Sequence, residues 1–369
     1  MRLNIFLCLM LQLCVTAVLS EVKQVSVVFR HGDRAPGNFI KSIPNDLHRN
    51  KTFYPMGLGG LTNNGKSRVY NLGKFLRSSY DDLLGPVYLI NDVEAMSTDS
   101  PRARMSLQMA LAGLYPPRPI QQWDTKTNWQ PVLVSFKSKY EDKLLVPQFC
   151  EEYQEEYESV RNSLDYQSKA QALEPFMKEL AKNMGRATPI SVMDMNHLYH
   201  TLAAEQSMNL SLPHWADSIY PDGKLRDGAL LQYLHYGYND KLKRLSGGVV
   251  LQKIIRDMKA AQLNKDKPGF KIHVYSGHEL NVVMLLHTLG LYNEHIPEYS
   301  SGVFIELHET NGEYYVKVLY YKGIPVEAEV QRIPGCDELC PFNKFVKLLE
   351  NVTATETDLQ CNRLTKLPK

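Results

Sequence analysis

The run EVKQVSVVFR, residues 21–30, is dominated by β-branched and apolar side chains and halts at Arg30-His31-Gly32. Such a run reads as a buried strand, and a buried strand needs covering layers. The rest of the chain supplies them. Thr62 is the expected N-cap of a helix carrying Val69, Leu72, Phe75 and Leu76 on one face. DVEAMS is expected as a second strand, and PRARMSLQMALAGLY as a helix opening with Pro101 and stopped by PPRP. From 150 to 245 the texture turns rich in Glu, Lys, Gln, Leu and Ala, which predicts helices without strands. Alternation resumes with a helix in GGVVLQKIIRDMKAAQ, a strand in KIHVYSG and a helix from Glu279 to Leu289. SGVFIELHE and EYYVKVLYY then flank an Asn-Gly turn and predict a hairpin, and PFNKFVKLLENV predicts a last helix. The expected fold class is α/β, a sheet flanked by helices, formed by residues 21–149 and 246–369 and carrying a helical insertion at 150–245.

Residues 1–20 have a basic start at Arg2, an apolar run and small residues near its end, the pattern of a secretory signal peptide cut before Glu21. No later stretch has the length to span a bilayer and the C-terminal residues are polar, so no membrane anchor is expected. Cys8 and Cys14 would leave with the signal. Cys150, Cys336, Cys340 and Cys361 remain, an even number that implies two disulfides in an oxidising compartment, with three connectivities open. The pairing expected here is Cys336 with Cys340 and Cys150 with Cys361. Sequons at Asn50, Asn209 and Asn351 are expected glycosylation sites on the surface. The net charge is only +2 and the basic residues are scattered, which argues against a nucleic-acid partner.

Two segments carry chemistry. In VVFRHGDRAP a strand ends, Arg30 and His31 follow at once, and Gly32 permits a tight backbone. Ligands in open α/β sheets sit beyond the carboxyl ends of strands. Arginine offers planar donors matched to phosphate oxygens, so Arg30 and Arg34 would hold a phosphate while His31 attacks phosphorus. In KIHVYSGHELNVV, a second strand end presents His278 and Glu279 at a helix start, where an anion is favoured and Glu279 can serve as proton donor. Arg102, at the start of the helix after the second strand, is a further expected clamp, with Arg104 as its competitor. GLTNNGKS, residues 60–67, fits the phosphate-cradling G-x-x-x-x-G-K-[ST] pattern, and VYLIND imitates a strand ending in a magnesium-binding Asp. A working loop of that kind needs a buried strand running into it. What precedes Gly60 is NKTFYPMGLG, so the match is read as misleading. His197 and His200, in HLYH, could share a helix face, but no third metal ligand is evident; neither metal nor cofactor is expected.

RHGDRAP, the Arg-containing helix ending LAGLYPP, YSGHE and GCDELCP, in that order, resemble the histidine acid phosphatases, and the resemblance covers nearly all the chain beyond residue 20. QQWDTKTNWQPV, YHTLAAEQSMNLSLP and HIPEYSS look closest to insect venom acid phosphatases, relatives of the prostatic and lysosomal enzymes. The resemblance implies a phosphoglycerate-mutase-like sheet with a helical cap. It also implies His31 as nucleophile, and Arg30, Arg34, Arg102 and His278 as phosphate ligands. The family's proton donor is usually Asp; here Glu279, one methylene longer, stands in its place. The expected activity is hydrolysis of phosphate monoesters through a phosphohistidine, preferring acid pH, in a secreted protein, venom included, rather than a lysosomal one. A homodimer is implied by the relatives. The alternatives are a mutase, which a signal peptide and sequons argue against, and an inactive phosphatase-like binding protein, which loss of a clamp residue would favour.

Overall fold

The computed structural model describes residues 20–264, 269–364 and 366. The expected signal peptide therefore lies, Ser20 apart, outside the described residues. Among the described residues, eight strands form one sheet: β1 (Glu21–Arg30), β2 (Val93–Ser97), β3 (Ser135–Phe136), β4 (Ile272–Gly277), β5 (Gly302–Thr310), β6 (Glu313–Tyr321), β7 (Ala328–Gln331) and β8 (Cys340–Pro341). Their spatial order is β3-β2-β4-β1-β5-β6-β7, with β8 beside β6. The β3-β2-β4-β1 half is parallel and the remainder antiparallel.

Among the described residues, twelve helices cover or extend this sheet. Three come early: α1 (Asn63–Ser79), α2 (Asp81–Leu84) and α3 (Pro101–Leu114). Six lie between β3 and α10: α4 (Glu151–Arg161), α5 (Leu164–Ala172), α6 (Glu174–Met184), α7 (Val192–Ser207), α8 (Lys224–Tyr236) and α9 (Asp240–Leu245). Then follow α10 (Gly247–Leu263), α11 (Glu279–Thr288) and α12 (Phe342–Leu348). The protein is thus a mixed α/β structure, a central sheet flanked by helices.

The period-two alternation of β1 sorts its side chains between the two covering layers. Val25, Val27 and Phe29 pack with Val69, Leu72 and Leu76 of α1 and Leu107 and Leu111 of α3. Val28 faces the opposite layer, with Leu251 and Ile254 of α10 and Val282 and Leu285 of α11. Phe75, expected on the buried face of α1, is only partly covered. The helices between β3 and β4 build their own apolar cluster around Phe176, Leu180, Leu198, Leu202 and Leu225. The sulfurs of Cys150 and Cys361 are 2.00 Å apart, and those of Cys336 and Cys340 are 2.01 Å apart. Asn50, Asn209 and Asn351 are all exposed. Among the described residues, no helix is long and apolar enough to cross a membrane.

Candidate active site

Three neighbouring parallel strands stop at the same level. Arg30 pairs with Gly277 and Ser97 with Ser276, so the segments that follow β1, β4 and β2 leave the sheet side by side. Main-chain bonds carry the ladder one step past the strand ends. The amide of His31 donates to Gly277 O at 3.0 Å, and that of Thr98 to Ser276 O at 3.1 Å. The fourth wall is the turn before β5, fixed by the Arg30 amide donating to Ser301 O at 2.8 Å. His31, Arg102, His278 and Glu279 thereby converge at the carboxyl ends of the strands, where an open α/β sheet places its ligand crevice.

The turn after β1 is held by close backbone contact. The Gly32 amide donates to Ser106 Oγ on α3 at 3.1 Å. A Cβ on Gly32 would collide with the carbonyl of Gly65, and one on Gly65 would collide with the main chain of Asp33. This is the use of the glycine in GLTNNGKS. Gly65, Lys66 and Ser67 lie inside α1, capped by Thr62 Oγ1 accepting from the Gly65 amide at 3.1 Å, and Lys66 reaches Asn63 on the surface.

The tautomer of His31 follows from its partners. Nδ1 meets the carbonyl of Gly32 at 2.8 Å and must donate, while Nε2 accepts from Arg102 Nε at 2.9 Å. Nε2 therefore carries a lone pair directed into the site. Burial, reinforced by Arg102, His278 and Arg30, holds the imidazole pKa well below its ordinary value, against a smaller opposing pull from Glu279. The ring is neutral even in the acid range where a free histidine is protonated.

His278 is neutral as well. Burial and then Arg102 lower it to about 3. Its Nδ1 accepts from Arg102 at 3.2 Å, which leaves Nε2 to donate to Thr98 Oγ1 at 3.1 Å. His278 can thus meet a phosphate only as a neutral hydrogen-bond partner, with the charge supplied by arginine. Arg102, crowded by burial and by Arg34, has its pKa reduced to about 10. Arg30 is buried, stacks 4.0 Å over the Tyr299 ring, donates to Pro297 O and lies 3.4 Å from Glu279 Oε2. Arg34 donates to its neighbour's carbonyl and, at 3.4 Å, to His200 O. Three guanidinium groups thus face one carboxylate, and a surplus of fixed positive charge in a shielded cleft favours an anion. Arg104 points elsewhere: it lies over Phe136 and 3.7 Å from Asp99.

The surroundings of Glu279 favour its ionised form, not the protonated one a general acid would start from. Burial alone would raise its pKa, but Arg30, followed by His200 and His278, brings it well below the usual carboxylate range. The carboxyl is ionised in the free chain and does not start protonated.

Sequence reasoning missed the groups behind Glu279. His200 on α7 lies 4.0 Å from Glu279 Oε1 and meets Tyr233 Oη of α8 at 2.5 Å. The HLYH pair had drawn attention for metal binding, and its spacing could have pointed at this wall instead. Tyr233 and Tyr299 carried no sequence signal. Among the described residues, one group of three potential metal ligands exists, Glu94, Asp257 and His273. It lies toward the amino ends of β2 and β4, where Lys253 Nζ already sits 2.6 Å from Glu94 and 2.7 Å from Asp257.

Residues 21–321 match the family described as the histidine phosphatase superfamily, branch 2. A venom acid phosphatase of Apis mellifera is 40% identical over 351 residues, covering 95% of this chain and 90% of its own. Prostatic acid phosphatase of Bos taurus is 32% identical over 345 residues, covering 92% and 88%. Lysosomal acid phosphatase of Xenopus laevis is 31% identical over 348 residues, covering 92% and 79%. Among solved structures, a Hafnia alvei phytase in complex with tartrate superposes with a TM-score of 0.67 at 17% identity, covering 94% of this chain and 99% of that one, a likeness of fold. The chain belongs to branch 2 of the histidine phosphatase superfamily and is an enzyme of the phosphatase class.

Proposed function

We propose that this protein is a secreted acid phosphatase that hydrolyses phosphate monoesters through a phosphohistidine on His31. The observation that carries the reading is a neutral His31 whose Nε2 lone pair faces a cleft bearing Arg30, Arg34 and Arg102. As substrate enters, its phosphoryl oxygens take over the Arg102 hydrogens that now cap Nε2, which frees the lone pair at the moment the phosphorus arrives. Nε2 then bonds to phosphorus while the P–O bond to the alcohol breaks, with the guanidinium groups matching charge on the equatorial oxygens.

The leaving oxygen needs a proton, and Glu279, as general acid, delivers it. Because the carboxyl is ionised in the free site, the proton comes in with the substrate as its monoanion. The bound phosphate offsets the field of Arg30, and the proton shifts to Glu279. In the second step water attacks phosphorus, Glu279 takes its proton, the P–N bond breaks and the electron pair returns to Nε2. His278 and the amide end of α11 bind a phosphoryl oxygen.

Secretion is supported by the signal-like sequence, by two cysteine pairs at bonding distance and by three exposed sequons. The higher identity to a venom acid phosphatase, 40% against 31% for a lysosomal one, favours a venom or other extracellular setting. The exposed apolar side chains of Ile120, Trp123, Trp129 and Leu133 give a homodimer a surface to use. The test is direct: His31→Ala should abolish phosphate release from an aryl phosphate at pH about 5, in the carboxyl titration range. Full activity in that variant refutes the assignment.

A further inference from the structure

Beside the phosphate clamp lies a cavity of about 740 Å³, walled by α4, α5 (with Ala170), α6, α7 and α8. Its lining is aromatic and sulfur-rich: Tyr153, Tyr157, Tyr166, Tyr236, Met177 and Met193. Three observations tie it to the site. His197 lines it, one turn before His200 on α7, which lies 4.0 Å from Glu279 Oε1. Tyr236, also in the wall, lies one turn after Tyr233 on α8, whose hydroxyl meets His200 at 2.5 Å. Gln148 is shared with a smaller cavity that reaches Thr98 and His278. The cavity therefore adjoins the Glu279 side of the clamp, the side on which the departing alcohol receives its proton.

The charge of the cavity restricts its occupant. Glu158 and Arg161 line it and neutralise each other at 3.1 Å. A polyphosphorylated alcohol would need several cations here, and the lining offers this single, already paired arginine. An apolar group needs none. The volume is in the range that holds a drug-sized ligand.

We propose that this cavity is the leaving-group pocket and that it selects phosphate monoesters of bulky apolar alcohols. The proposal rests on the phosphatase reading above and assigns that reaction its substrate class. The test is a series of n-alkyl phosphates from methyl to octyl. The acidity of the alcohol barely changes along the series, so the chemical step is held constant. With purified full-length protein, kcat/KM should rise by about fourfold per methylene that enters the pocket and then level off. Ala170→Phe, which fills the wall, should flatten the rise and leave methyl phosphate unaffected. Met193→Gln, a milder change, should lower the slope. A flat series in the unmodified protein, or a slope unchanged in both variants, overturns the pocket assignment while the phosphatase reading stands. Hydrolysis of every member by His31→Ala overturns the assignment of His31 as nucleophile whatever the slope.

Discussion

Arg102 Nε donates to His31 Nε2 at 2.9 Å, so the side chain that should grip the phosphate also guards the atom that should attack it. Arg102→Ala removes both the guard and one of the charges holding the imidazole neutral. We expect kcat/KM to fall by about 10²–10³-fold and the acid limb of its pH profile to move upward, since the pKa of His31 rises when Arg102 is lost. A steady-state pH profile of the variant checks both; an acid limb that stays in place would contradict the coupling.

The ionised state of Glu279 leads to a substrate-dependent pH optimum. The acid limb of kcat/KM belongs to His31 and should lie well below the ordinary histidine range. The alkaline limb should follow the substrate, since the productive proton enters on the monoanion, whose second pKa is about 6 for a simple monoester. Replacing that substrate with one of lower second pKa should shift the alkaline limb downward by the same amount. Glu279→Gln should slow alkyl phosphates far more than 4-nitrophenyl phosphate, which leaves without help.

Gly65 and Lys66 separate packing from phosphate binding within one motif. Lys66→Ala should leave activity unchanged, because the side chain reaches only Asn63 on the surface. Gly65→Ala drives a methyl into the Asp33 backbone beside the nucleophile, and should reduce both thermal stability and kcat. Melting curves and activity of the two variants, read together, test the assignment.

The two cysteine pairs should contribute unequally to stability. Cys150 and Cys361 are 211 residues apart in sequence, whereas Cys336 and Cys340 are separated by 4. On a chain-entropy basis the first is worth about 5 kcal/mol and the second about 2 kcal/mol. Denaturant melts of Cys361→Ser and Cys340→Ser should preserve that order.

Glu205, fully buried on α7, has its carboxyl pKa raised to about 9 by burial and by Asp46 beside it. The folded chain keeps a proton that the unfolded chain releases, so this contribution is complete below the ordinary carboxyl pKa and is lost as pH rises toward 9. Between pH 7 and 9 the depressed histidines have finished titrating. Tm should fall across that interval, and Glu205→Gln should fall less.

What the sequence made legible was local. A strand that ends in Arg-His-Gly, or in Ser-Gly-His-Glu, announces its own tip, and Pro101 and Thr62 announce their helix starts. The two-residue strands β3 and β8 and the four-residue β7 are too short to show alternation. His200, Tyr233 and Tyr299 reach the site from two helices and a turn distant in sequence, and no spacing rule connects them to His31. The charge states of Glu279 and His278 were illegible for another reason. They arise from burial together with the charges of Arg30 beside Glu279 and Arg102 beside His278, an environment that exists only once the strand tips are brought together.

The first strand of the sheet takes both its neighbours from far down the chain. β1 is flanked by β4 and β5, whose residues begin at 272 and 302. During synthesis an apolar ten-residue strand with two unpaired edges must wait for more than two-thirds of the chain to emerge, a high-contact-order arrangement that folds slowly and exposes sticky intermediates. Enzyme activity in this chain is consequently a report of finished folding: a nascent or C-terminally clipped product that stops short of β4 carries His31 but has no site around it.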